Sequence, residues 1–264
     1  MNELFEQHIK HFPHMLKYCF YEVKTHYKYY VSAFAIMLVL LIFTYLKLWI
    51  TDAIDVQQST SYYKLIGFFA YMWVFLSLFN SEKTVRKQGA LYNRLSVPYY
   101  VGASSQVFLT MIMFLIVVTL TGIVSTFSTS NLIEINHLGF FYYLVMAYIL
   151  LVPVASIIGV FGKYVYSARF IVFGLLIVLL FVVPILYVPN NMYAVWVNVL
   201  KLNPLFYIIN GLQQSMVLGN ASVTNLPYHI LFYFEVAFIY LAWININKAY
   251  KTEYFKKKIK AEMI

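Results

Sequence analysis

Apolar residues fill long stretches of this chain, and polar residues come in clusters that separate them. Six stretches are apolar enough to be expected to cross roughly 30 Å of hydrocarbon. They run from Val31 to Ile50, Lys64 to Phe79, Gln106 to Phe127, Gly139 to Phe161, Phe170 to Val188 and Ile230 to Ile246. Three further segments have helical periodicity without the character of a span. Leu16, Cys19, Phe20, Val23 and Tyr27 share one helical face with Lys17, Lys24 and Lys28 beside them, the pattern of a helix lying in the headgroup layer. Pro13 is expected to separate that helix from Met1 to Phe12. Ser81 to Tyr100, "SEKTVRKQGALYNRLSVPYY", predicts a basic helix between the second and third spans. Ser81 would be its N-cap, Glu82 would suit the positive end of its dipole, and Val97-Pro98 would stop it.

The third segment is the least ordinary. The fifth span ends in "VVPILYVPNN", where Pro184 and Pro189 each remove a backbone donor. Two short amphipathic stretches follow, Met192 to Leu200 and Pro204 to Leu218. Asn203-Pro204 divides them in the order of a helix start, an Asn cap and then Pro at the first helical position, and Gly219-Asn220 ends the second. Leu205, Ile208, Leu212 and Met216 are expected to face the bundle or lipid, and Asn210, Gln213 and Gln214 to lie nearer water. Backbone of this length at membrane depth is re-entrant or interfacial, because its unpaired groups need protein or water beside them.

Composition agrees with the pattern. The 264 residues are 62% hydrophobic and 11% charged, with a mean hydropathy of +0.73, which places the chain among integral membrane proteins. The first thirty residues mix acidic and basic side chains with no apolar core or cleavage site, so the first span is expected to stay as an anchor. The lone Cys19 offers neither a disulfide nor a metal cluster. His8, His11 and His14 fall at i, i+3 and i+6 near the N-terminus without a ligand set around them.

Charge changes the picture more. The formal charge is +9, and of the 19 lysines and arginines all but Lys47, Lys64 and Lys201 fall on one side when the N-terminus is placed inside. The positive-inside rule then predicts two cytoplasmic termini. Topology accounts for the basic balance, and nucleic-acid binding loses its support. Tyrosine pairs such as Tyr29-Tyr30, Tyr62-Tyr63 and Tyr99-Tyr100 lie near predicted span ends, as interfacial belts require. Glu235 lies about one and a half turns inside the sixth span. A charge there costs up to about 3.5 kcal/mol, so it is expected to face protein or a wet pathway, or else to snorkel outward or be protonated. The chain contains no G-x-x-x-x-G-K-[ST] phosphate loop. No internal repeat or linker divides it.

In order, these features resemble the membrane subunit of the ABC-2 exporter family, of the type that moves polysaccharides and teichoic acids out of bacteria. The resemblance rests on "TVRKQGALYNRLSVP", on "IGVFGKYVYSARFIVFGLLIVLLFVVPILYVP" and on "LKLNPLFYIINGLQQSMVLG", where Asn203, Pro204, Leu205 and Phe206 match the family's Asn-Pro plus aliphatic or aromatic residues. It implies an all-α integral membrane fold. Six transmembrane helices would be joined by an N-terminal amphipathic interface helix, a cytoplasmic coupling helix and short re-entrant helices before the last span. The whole chain would be one domain, with residues 1–30 a cytoplasmic amphipathic N-terminus, 31–246 the membrane region and 247–264 a basic tail.

The resemblance also implies function. The chain would be a multi-pass permease of the bacterial plasma membrane, without nucleotide-binding machinery of its own. ATP and Mg would be handled by a separate ABC ATPase, coupled through the helix that carries Glu82, Arg86, Lys87 and Arg94. Six helices give little wall for a conduit, so a homodimer with the passage at its two-fold interface is expected. A lipid-linked glycan would stack on aromatic faces and bond to amides. Tyr71, Trp73, Tyr142, Tyr148, Asn203, Pro204, Asn210, Gln213, Gln214 and Glu235 are the candidates for the conduit or its exit. Alternatives are an ABC-2 permease for a drug, lipid or antimicrobial peptide, a membrane-embedded transferase, and a scaffold without an ATPase.

Overall fold

The computed structural model describes residues 2–51, 55–94, 98, 100–128, 134–165, 167–183, 185, 187, 193–219 and 226–262. Side chains of 2–9, 55, 84–94, 127–128, 194 and 250–262 lie outside the described set. Eight helices follow one another among the described residues: α1 (Asn2–Ile50), α2 (Asp55–Arg94), α3 (Tyr100–Ser128), α4 (His137–Tyr164), α5 (Ala168–Val182), α6 (Ala194–Leu200), α7 (Pro204–Val217) and α8 (Leu226–Glu262). Extended pairing is confined there to one isolated parallel bridge, Glu134 with Leu218.

Five of these helices are long and apolar enough to cross a membrane. The expected fifth span is shorter than the sequence suggests. Helix α5 has 15 residues and stops at Val182 rather than Val188, a length of roughly 22 Å at 1.5 Å per residue. The cause is local: Val183 precedes a proline, which disfavours helical backbone there, and it adopts φ −97, ψ 149.

Helix α1 is continuous through Pro13 and loses helical backbone only at His26 (φ −119, ψ 28). The expected boundary at Pro13 is therefore replaced by a kink one turn before the span. On the N-terminal side of the kink, Met15 and Cys19 are buried while Phe20, Val23 and Tyr27 are exposed. Met15 packs with Tyr100, Val101 and Trp243, and the Cys19 thiol donates to the Ser105 carbonyl at 3.3 Å. The expected apolar face is thus split between the bundle and the surroundings.

Helix α2 is the centre of the bundle. Its apolar window is 72% buried, against 22% for α1 and 17% for α8. It runs from Asp55 to Arg94 without a break, so Ser81 is an interior residue and not an N-cap. Its hydroxyl instead donates to the carbonyl of Ser77 at 2.6 Å, a bond that satisfies a buried serine without starting a new helix. One turn earlier, the Ser77 and Thr110 hydroxyls meet at 2.7 Å between α2 and α3, polar glue of the kind that joins helices in an apolar medium. The basic segment is consequently a direct extension of the most buried span.

Candidate functional site

At the end of the bundle where α2, α4 and α8 begin, α7 is held against all three. Asn203 has extended backbone and its side chain accepts from the Leu205 amide at 3.0 Å, with Pro204 in the first turn. The expected cap is therefore present. At the other end of α7, Gly219 has φ +61, the left-handed backbone that commonly ends a helix. Asn136 ties this end to α4. Its amide donates to the Ser215 carbonyl at 2.8 Å, its side-chain nitrogen donates to the Gly219 carbonyl at 3.4 Å, and its side-chain oxygen caps Gly139. Toward α2, the Tyr63 hydroxyl donates to Asn210 at 2.5 Å, and Gln213 Nε2 donates to the Tyr63 carbonyl at 3.0 Å.

On the opposite flank of α7 lies a cluster of hydroxyls around one imidazole. The Tyr142 hydroxyl is 2.8 Å from that of Tyr233 and 3.2 Å from that of Tyr207, and 3.4 Å from His229 Nδ1. Tyr207 also bonds directly to His229 Nδ1. The Tyr207 ring stacks on Phe232 with centroids 4.4 Å apart. An open cavity of about 100 Å³ adjoins this cluster, lined by Tyr143, Lys201, Phe206, Tyr207, Asn210, Gln214, Tyr228 and His229. The Lys201 ammonium sits 4.2 Å from the centroid of the Tyr228 ring, and the Tyr228 hydroxyl donates to Asn198 at 3.0 Å. Among the described residues the wall is therefore one of hydroxyls, amides, aromatic faces and a cation, with no carboxylate in it. Such a surface suits a polyhydroxylated or anionic group.

The residues proposed from sequence divide accordingly. Asn210 and Gln214 line the cavity, Tyr142 is the hub of the adjoining cluster, and Asn203 and Pro204 start the helix that carries the amides. Gln213 does not belong with them: it is fully buried and faces α2, because one residue turns a helix by about 100°. Ile208, Leu212 and Met216 are buried as expected, and Leu205 is half-buried. Tyr71 and Trp73 lie in interior packing. Tyr71 donates to the Leu176 carbonyl at 2.8 Å; Trp73 donates to that of Val107 at 3.2 Å and stacks on Phe114. Both lie on α2, whose neighbours surround it. Tyr148 sits toward the other end of the bundle, its hydroxyl 3.6 Å from Met15 Sδ.

Glu82 is also relocated. It is fully buried, and a Cβ on Gly162 would come within 2.8 Å of its Cγ and its carbonyl oxygen. It is a contact between α2 and α4. The backbone of Arg86, Lys87 and Arg94 continues α2, and their side chains lie outside the described residues, as do Pro184 and Pro189. Glu235 is half-buried on α8 and forms no ion pair with a described residue.

Sequence reasoning missed Lys201, Tyr207, Tyr228, His229 and Tyr233. A signal was present: His229 and Tyr233 are four residues apart on one face of α8, and Lys201 is one of only three cations assigned to its side.

A search of curated proteins found no match to the chain. Residues 11–217 match the ABC-2 type transporter family, a region that begins in α1 and ends with the last residue of α7. With several membrane-length helices, the half-helix pair before the last of them and a match over most of its length, this multi-pass membrane chain belongs to the ABC-2 type transporter family, as a transport subunit whose family works with an ABC ATPase.

Proposed function

We propose that this chain is the permease half of an exporter that moves a cell-surface polysaccharide or a teichoic acid-type, lipid-linked glycopolymer across the bacterial plasma membrane. ATP and Mg are bound by a separate ATPase chain, both termini are cytoplasmic, and two copies of the permease form the passage between them. Helix α5 supplies the fifth of six crossings. The observation that carries the substrate reading is the polar cavity behind α7. Its lining of tyrosine, asparagine, glutamine and lysine matches a hydroxyl-rich glycan better than an apolar drug, which is bound by largely apolar walls. The homodimer is supported by apolar faces left open on α1 and α5. Ile36, Val39, Ile42 and Phe43 on one, and Phe170, Leu175, Val178 and Phe181 on the other, are exposed in the single chain and suited to lipid or to a second copy.

Coupling follows from the shape of α2. An unbroken helix that is buried in the membrane region and then continues to Arg94 transmits displacement at its basic end as a rod, with no hinge at Ser81 to absorb it. The test reverses charge at Arg86, Lys87 and Arg94 together. Insertion should be unchanged, while the ATPase co-purifies poorly or hydrolyses ATP without export. A triple variant that retains its ATPase and exports the glycopolymer normally would remove the coupling role.

A further inference from the structure

We propose that the cavity behind α7 is an anion subsite that holds one phosphate group through Lys201 and His229. The assignment extends the export reading, on which it rests for its substrate, by naming the chemistry of the exported group. Four observations carry it. The cavity is about 100 Å³, well below the roughly 300–1,000 Å³ of sites that enclose a whole small molecule, so it takes one group of a larger ligand. Among the described residues its only charged lining residue is a lysine, and no carboxylate lines it. Lys201 forms no ion pair with a described residue and rests on the face of Tyr228, which orients the ammonium without neutralising it.

The fourth observation is His229. It is 6% exposed, its Nδ1 is engaged by Tyr207 and Tyr142, and its Nε2 is buried with no hydrogen-bond partner among the described residues. In the tautomer in which Nδ1 accepts from Tyr207, Nε2 carries the hydrogen and is a donor without an acceptor. An unsatisfied buried donor is costly, and because the His229 side chain lines the cavity, a phosphate oxygen seated there supplies the acceptor once the ring turns Nε2 toward it. Gln214 on the same wall supplies an amide. A cation, an imidazole donor and an amide around a small space form an anion site built from side chains just after α6 and on α7 and α8, and not from helix-terminus backbone amides.

The phosphate can come from two sources, the exported polymer or the headgroup of an anionic lipid, and the experiment separates them. The full chain is reconstituted in phosphatidylcholine nanodiscs, and saturable binding of radiolabelled glycerol 3-phosphate is measured, with inorganic phosphate and glycerol as competitors. In a second arm, nanodiscs containing phosphatidylglycerol are examined by native mass spectrometry for retained lipid. Phosphate should compete and glycerol should not. Lys201→Gln should weaken binding by about tenfold or more, the scale of one charge-assisted contact, His229→Gln should weaken it less, and Lys201→Arg should restore it. Binding of the soluble probe alone assigns the site to a mobile phosphate group; lysine-dependent retention of phosphatidylglycerol assigns it to a lipid. The proposal is overturned if neither probe binds, if Lys201→Gln binds as the parent does, or if glycerol competes equally. Because no step requires ATP or transport, a bound phosphate in a chain that exports no glycopolymer would sink the export reading and leave the subsite standing.

Discussion

Replacing Gly211 with alanine tests whether α7 is locked against α4 or merely lies beside it. A Cβ at Gly211 would overlap the Cδ1, Cε1 and Cζ atoms of the Tyr143 ring. Carbon atoms in contact settle at about 3.5–4.0 Å, so ring or helix must shift by about 1 Å. The ring has little room to give way. Tyr143 is 1% exposed, and the rings of Tyr142 and Tyr207 stand against it with centroids 5.1 Å and 5.4 Å away. Helix α7 must therefore move, and overpacking of this kind costs about 1–3 kcal/mol. Alanine returns about 1 kcal/mol through its greater helix propensity, which leaves a net loss of up to about 2 kcal/mol. Gly174 and Gly122 supply the controls, because nothing lies within 4 Å of a Cβ built at either. The same change there should stabilise by up to about 1 kcal/mol. Denaturant unfolding of the three variants in one detergent measures the difference, and adding Tyr143→Leu to Gly211→Ala should recover most of the loss. If Gly211→Ala proves at least as stable as Gly174→Ala, the close approach of α7 to α4 is wrong.

Two further outcomes are expected. Asn203→Ala removes the acceptor for the Leu205 amide and should cost about 1 kcal/mol in the same unfolding assay, whereas Asn203→Ser should keep most of the stability; equal losses in both would argue against the cap. Glu235→Gln should slow export several-fold without lowering the amount of chain in the membrane, and unchanged export by Glu235→Leu would take that carboxyl out of the passage.

The sequence by itself determined what depends on neighbours along the chain. Hydropathy located five helices of membrane-crossing length, because each must hide some twenty residues from water whatever it packs against. Asn203-Pro204 and Gly219 marked the ends of α7, because caps satisfy backbone groups one turn away. Pro184 announced an interruption, although it shortened α5 more than the apolar run suggested. Tertiary structure decided everything that depends on which face is covered. A helix that is apolar all round carries no mark of its buried side, so Tyr71 and Trp73 could be placed inside α2's packing only once α3 and α5 were known to surround it. Ser81 has the composition of a cap and became an interior residue because α2 stays helical through it. The sharpest case is Gln213 beside Gln214. The two are identical in chemistry and adjacent in sequence, yet one bonds the Tyr63 carbonyl in the interior and the other lines the cavity, because the position of α2 against α7, and nothing in the side chains themselves, sets which direction is inward.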